Sequence, residues 1–371
     1  MKIGVLLCIL ALTMSIPTVL CESLTAVEAD VQENTINGWV SVSAGSIASF
    51  AVHSDGTLWT WGGNNFGQLG DGSLVNRYVP ARIMGDMIAL SASSHRSMAI
   101  ASDGTLWTWG GDQGERNRLR PAKIMDDVIS VSTGSGGTMA IRTDGSLWSI
   151  PVFNPLNSVK LMENVAYISV GMNHFLVVKT DGSLWTWGGN RDGQLGDGTT
   201  EDKHRQDPVK IMEDVIAISA GDRHSMTITA DGYLWAWGWN SSGQLGDGTT
   251  ENRYSPIKIM DNVVSVSAGH SHSTAIRGDG TLWAWGSNHQ GQLGDGTNEN
   301  RHSPIKIIDN VAAVSANNLI LVIGHIPSYT LAIKTDGTLW AWGDNTYGQL
   351  GDGTTENRLY PIMIHDGILT P

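Results

Sequence analysis

Residues 281–297 read TLWAWGSNHQGQLGDGT, seventeen residues holding two tryptophans, four glycines and one aspartate. The first part alternates, and a period of two puts Trp283 and Trp285 on one face of a strand. Asp279-Gly280 stands just before it, between two strand-like runs, where Asp-Gly is a strong hairpin signal. Upstream lie an alternating run through Val264 and Val266 to Ala268-Gly269, and a second run from Ser273 to Ile276, rich in small and β-branched residues. Downstream, a long Gly-rich loop leads to Pro304-Ile305-Lys306-Ile307, whose proline suits an outer strand. The unit is four short antiparallel strands.

The same Asp-Gly-x-Leu-Trp core begins at Asp55, Asp103, Asp144, Asp181, Asp231, Asp279 and Asp336, at successive spacings of 48, 41, 37, 50, 48 and 57 residues. Seven four-stranded units without helical periodicity predict an all-β fold, a seven-bladed β-propeller of four-stranded antiparallel blades. An open solenoid would need polar capping repeats, and neither end offers one. Alternating strand direction places the Ala-Gly-x-x-His and Gly-Gln-Leu-Gly-Asp-Gly segments on one side of the disc, the loop face. The Asp-Gly hairpins and the Met-Asp-Asn type blade connections fall on the other, the hairpin face.

Bulk composition fits that reading. The 371 residues contain 45 glycines and 15 tryptophans, far above ordinary usage, which argues for tight turns and aromatic packing. The formal net charge is −13 and no run of basic residues occurs, so no nucleic-acid partner is expected. Residues 1–21 pair Lys2 with an apolar stretch from Ile3 to Met14, the pattern of a secretory signal peptide. The apolar run is shorter than the ~20 residues of a membrane helix, so no span is expected after cleavage. Cleavage after Cys21 would remove both cysteines, Cys8 and Cys21, and leave stability to packing. Residues 22–38 form an N-terminal segment that could close the last blade, 39–366 the propeller and 367–371 a tail.

The pieces SAGDRHSMTI at 219–228 and SAGHSHSTAI at 267–276 resemble the repeat of the regulator of chromosome condensation family. So do NNFGQLGDG at 64–72, NRDGQLGDG at 190–198, NSSGQLGDG at 240–248, NHQGQLGDG at 288–296 and NTYGQLGDG at 345–353. The resemblance implies a seven-bladed propeller. The family's namesake is a nuclear nucleotide-exchange factor for a small GTPase. This sequence departs from it in its secretory-type leader, its lack of a basic tail and the absence of an insertion resembling a GTPase-engaging wedge. Secreted proteins with similar repeats include a β-lactamase inhibitor protein, whose architecture, a disc presenting loops to a protein, fits these departures better than exchange does.

Function has to be sought where the repeat breaks. Tryptophan pairs recurring in most blades read as packing between neighbouring sheets, whereas Trp39 and Trp239 lie outside the pairs and read as exposed aromatics. His95, His174, His224 and His272 read as one structural position, filled elsewhere by Ala48, Gly137 and Tyr329. The Asp and Asn residues beside glycine in the long loops read as turn formers rather than a calcium loop. No nucleophile elbow, phosphate loop or metal-protease motif is present, so no catalytic residue, metal or cofactor is expected and the chain reads as a non-enzyme.

Two departures remain. Repeats two and three shorten or replace the long loop, the third with Ser149-Ile-Pro-Val-Phe-Asn-Pro-Leu, leaving a low sector beside Phe153. Repeat seven inserts NNLILVIGHIPSY, whose apolar part runs through Leu319, Ile320, Leu321, Val322 and Ile323 to His325, and reads equally as a partner contact or as a loop folded inward to plug the central channel. The expected function is a secreted monomeric scaffold that contacts a protein through the loop face at Leu319–Ile323, His325, Phe153 and Trp239. The alternative is a cell-surface carbohydrate binder using Trp39 or Trp239.

Overall fold

A computed structural model of the chain describes residues 38–93, 95–111, 118–151, 157–317 and 326–364. Twenty-eight strands order these residues into seven sheets, each of four strands paired in chain order. The blades span residues 39–84, 87–125, 128–162, 165–212, 215–260, 263–308 and 311–364. In blade six the strands are Val263–Ala268, His272–Arg277, Leu282–Gly286 and Arg301–Ile308, in line with the four runs read from the sequence.

First strands stand innermost, each against the first strands of both neighbouring blades, and the ring closes between blades seven and one. The same hydrogen bond crosses all seven junctions. A first-strand serine Oγ accepts the N–H at or next to the end of the following blade's first strand: Ser315 to Ala44, Ser43 to Ala92, Ser91 to Thr133, Ser132 to Val170, Ser169 to Ala220, Ser219 to Ala268 and Ser267 to Ala316, all at 2.9–3.1 Å. The serine of Ser-Ala-Gly is thus the inner fastener of the ring, and a buried amide is satisfied at each turn. The apolar core is likewise seven clusters, each shared by two adjacent blades rather than collected at one centre. Blade seven draws all four strands from residues 311–364, so closure uses two complete blades side by side.

On the hairpin face, Asp279-Gly280 closes its hairpin with the glycine alone at positive φ (+78°), Gly280 N–H donating to Arg277 O and Arg277 N–H to Thr281 O. This is a type I turn followed by a left-handed bulge residue, not the two-residue turn that Asp-Gly alone suggests. The Asp279 carboxylate accepts from the Thr281 N–H (3.0 Å) and hydroxyl (2.7 Å), and Trp283 Nε1 donates to that hydroxyl at 2.9 Å. Asp-Gly-Thr-Leu-Trp is therefore one hydrogen-bonded relay. The six blade connections each place Asp86, Asp127, Asn164, Asp214, Asn262 or Asn310 at φ between 54° and 62°, a conformation Asp and Asn tolerate.

Candidate functional site

Loop-face construction follows from the Gly-Gln-Leu-Gly segment, which is a latch between blades. The Gln194 carbonyl of blade four accepts from Trp237 Nε1 (2.9 Å) and Ser225 Oγ (2.8 Å) of blade five. The Ser225 hydroxyl proton is thereby used, so the 3.0 Å contact with His174 Nε2 has histidine as donor and fixes the Nε2–H tautomer. The set recurs as His224, Ser273, Gln244 and Trp285, and as His272, Thr330, Gln292 and Trp342. At the closing junction Tyr329, Ser49, Gln349 and Trp61 perform the same task. At the first junction Ser97 Oγ and Trp109 Nε1 both donate to Gln68 O.

Close approach explains the glycines of this arrangement. Gly196 has φ +80°, and a Cβ there would lie 2.7 Å from Trp237 Nε1. Gly221, in Ala-Gly-x-x-His, lies under the imidazole, and a Cβ would come within 2.5 Å of His224. Burial holds the imidazoles neutral: it pulls His174 down to about 4 and His224 and His272 to about 3, the nearby histidines adding to the shift of His224.

The latch braces itself. Asn288 Nδ2 donates to Asp295 Oδ1 (2.8 Å) and Thr297 O (3.0 Å), while its Oδ1 accepts Leu293 N–H (3.0 Å). Asp295 also accepts from Thr297 through Oδ1 and from Arg301 Nε through Oδ2 at 2.8 Å. These loop carboxylates are turn-bound and ion-paired, and among the described residues no cluster of three His, Cys, Asp or Glu could hold a metal.

Among the described residues five junctions carry the latch, and the two flanking blade three do not. At the junction of blades two and three, Ile150 stands where the other blades have the second tryptophan. At the junction of blades three and four the tryptophan remains as Trp187, only 3% exposed, but its partners are gone. Gly137 replaces the histidine, Phe175 replaces the serine and stacks on Trp187 (centroids 5.4 Å apart, planes at 14°), and among the described residues nothing accepts the Trp187 indole N–H. What remains is a cavity of about 470 Å³ lined by Gly136, Met139, Ser149, Leu161, Phe175, Trp187, Gly188 and Lys203 to Gln206. A second, of about 510 Å³, adjoins it and adds Lys160, Lys179 and Trp185. The fourth strands here are only Val159–Met162 and Val209–Met212, half the length of Arg253–Met260.

The low sector was expected over the changed loops of repeats two and three, whereas the cavity that the described residues show is between blades three and four; Phe153 itself lies outside the described residues. Leu319, Ile320, Leu321, Val322, Ile323 and His325 also lie outside them; the base of that insertion is fixed by Asn317, whose Nδ2 donates to Pro327 O at 2.7 Å. Trp239 is half-buried on the loop face beside Arg223 (5.8 Å from the ring) and His270 (6.2 Å), and His270 pairs with buried Asp222. Trp39 is not an exposed aromatic. It is 5% exposed, packed edge-on against His53 and Trp59 between blades seven and one, because the first residue of the first strand already faces the neighbouring blade.

The tryptophan pairs divide. Trp61, Trp109, Trp187, Trp237, Trp285 and Trp342 are buried between blades, while Trp59, Trp107, Trp148, Trp185, Trp235, Trp283 and Trp340 are half-buried. His95 does not share the position of the other histidines. Arg96 pairs with Gly110 as His224 pairs with Gly238, and His95, one residue earlier, lies against Phe66 (3.9 Å). The missing signal was the register: Ser97-Met98 aligns with Ser225-Met226 and would have assigned Arg96.

Residues 150–369 match the RCC1-like domain, residues 55–100 the regulator of chromosome condensation (RCC1) repeat and residues 39–68 a second form of that repeat. The fold is similar to that of human WBSCR16, at 20% identity over 83% of this chain and 94% of that one, with a TM-score of 0.70. It is similar to yeast RCC1 (Prp20), at 22% identity over 89% of this chain and 76% of that one, with a TM-score of 0.54.

Proposed function

The chain belongs to the RCC1-like domain family, and from that premise we propose that it is a secreted, non-enzymatic scaffold that binds a protein partner through its loop face. The observation that carries this is the placement of the departures from the repeat. The unlatched junction, the Trp239–Arg223–His270 group and the Asn317–Pro327 base of the repeat-seven insertion all belong to one face, while the hairpin face repeats the same Asp-Gly turns around the ring. A surface that only had to be soluble would have no need of that asymmetry, and buried aromatic pockets ringed by charge suit protein contacts. Secretion rests on residues 1–21.

A photo-crosslinking residue at position 204 or 239 tests the loop face against one at position 102 or 230 on the hairpin face. With surface extracts of the source cell, the loop-face positions should yield one discrete protein adduct. Discrete adducts from the hairpin face alone would reject the reading. Recovery of the chain inside the cell with residues 1–21 intact would reject secretion.

A further inference from the structure

The cavity between blades three and four corresponds in register to a filled site elsewhere. In the junction of blades four and five, the latch is enclosed by Thr186, Asn173, Ser225, Trp237, Gly238 and the segment 253–255: Thr186 Oγ1 donates to Leu195 O, Asn173 Oδ1 accepts from Gln194 Nε2, and Gly198 N–H donates to Tyr254 O. One blade back, strand pairing sets Ser149, Gly136, Phe175, Trp187, Gly188 and 203–205 in those places. These are the residues that line the cavity. In five junctions a leucine (Leu69, Leu195, Leu245, Leu293 or Leu350), fully buried, fills the slot, and a glutamine carbonyl caps the indole. Here the slot has apolar walls in Met139, Leu161 and Phe175, and Trp187, whose ring borders it, has an indole N–H with no acceptor among the described residues.

Charge narrows the occupant. In a chain of net charge −13, Lys160, Lys179, Lys203, His204 and Arg205 gather around the two adjoining cavities. Lys203 has only long contacts to Asp197 (3.7 Å) and Glu201 (3.5 Å), and Arg205 has no ion pair among the described residues.

We propose that this junction is a peptide-binding site: a partner protein inserts an aliphatic side chain into the leucine slot, offers a main-chain carbonyl to Trp187 Nε1, and sets a neighbouring carboxylate against Lys203 and Arg205. The partner would supply in trans the latch that blade three lacks, a form of recognition that reuses the fold's own packing. A cavity of about 470 Å³ suits a side chain with its flanking peptide groups. The proposal rests on the loop-face reading and names the chemistry of one part of it.

The probe is the chain's own latch as a capped synthetic peptide, acetyl-Gly-Gln-Leu-Gly-Asp-Gly-amide. It is titrated into the mature chain carrying ¹⁵N-labelled indoles, with the Trp187 signal identified through Trp187→Phe. A saturable shift of the Trp187 indole is expected at millimolar peptide or below, with the capped indoles of Trp237 and Trp285 unmoved. Peptide with aspartate in place of leucine should bind at least about tenfold more weakly, and Arg205→Glu should weaken the parent peptide several-fold. Replacing residues 151–158 by the blade-four loop 189–202 should abolish the shift while leaving the other indole signals in place. No shift at several millimolar peptide, equal response to the aspartate peptide, or a Trp187 shift with soluble glycans but not peptide would each overturn the proposal. Loop-face crosslinks that persist after such a result would leave the scaffold reading standing without this site; peptide binding without loop-face crosslinks would do the reverse.

Discussion

Single indoles separate the two kinds of junction. Trp285, fully buried, donates to Gln244 O at 2.9 Å, whereas Trp187, buried but bordering the cavity, donates to no described residue. Trp285→Phe should therefore lose about 1–3 kcal/mol of stability in urea unfolding, and Trp187→Phe less than half of that. Equal losses would mean that the carbonyl cap adds nothing to ring packing. Gly196→Ala tests the close approach: positive φ and a Cβ 2.7 Å from Trp237 should together cost about 2–4 kcal/mol. A variant as stable as the parent would show that blade five can shift to make room.

At the scale of the element, the strands and turns were legible because each blade repeats a short rule: period-two alternation, Asp-Gly at the hairpin, proline on the outer strand. The blade-six runs match the observed strands to within a few residues. Roles that depend on a neighbouring blade were not legible. Nothing local in Leu-Trp-x-Trp says that the second indole reaches the carbonyl of a residue 41 to 50 positions earlier, as Trp285 and Trp342 do. Trp39 was misread for the same reason, its cover coming from blade seven across the ring closure. The break at blade three was legible as a missing loop, but its consequence, an uncapped indole on the next blade, needed the register. Deleting residues 318–326 should leave the melting temperature within a few degrees, because Asn317 and Tyr329 hold the base of the insertion, yet reduce partner affinity if that segment contacts the partner. Unchanged affinity in a folded variant would confine recognition to the blade-three sector and Trp239.

At the scale of the molecule, the ring is fastened by bonds that repeat, so its response to acid should be collective. His174, His224 and His272 are buried with folded values near 3 to 4, below the ordinary 6.5 of an unfolded chain. Below about pH 6.5 the unfolded chain binds protons that the native state refuses, so stability falls as pH drops toward 4. Each histidine contributes about 1.4 kcal/mol per pH unit in that window, about 4 for the three. Chemical unfolding between pH 7 and 4.5 should show this slope, and His224→Gln should reduce it by about a third. A flat profile would place the acid-sensitive step elsewhere.

Recognition at the break in the repeat is the central claim, and closing that break tests it most directly. The partner identified through the loop-face crosslink is measured by calorimetry against the parent chain and against the chain whose residues 151–158 are replaced by the blade-four loop. The account expects affinity to fall more than tenfold while folding is retained; equal affinity in the latched, folded chain would contradict it.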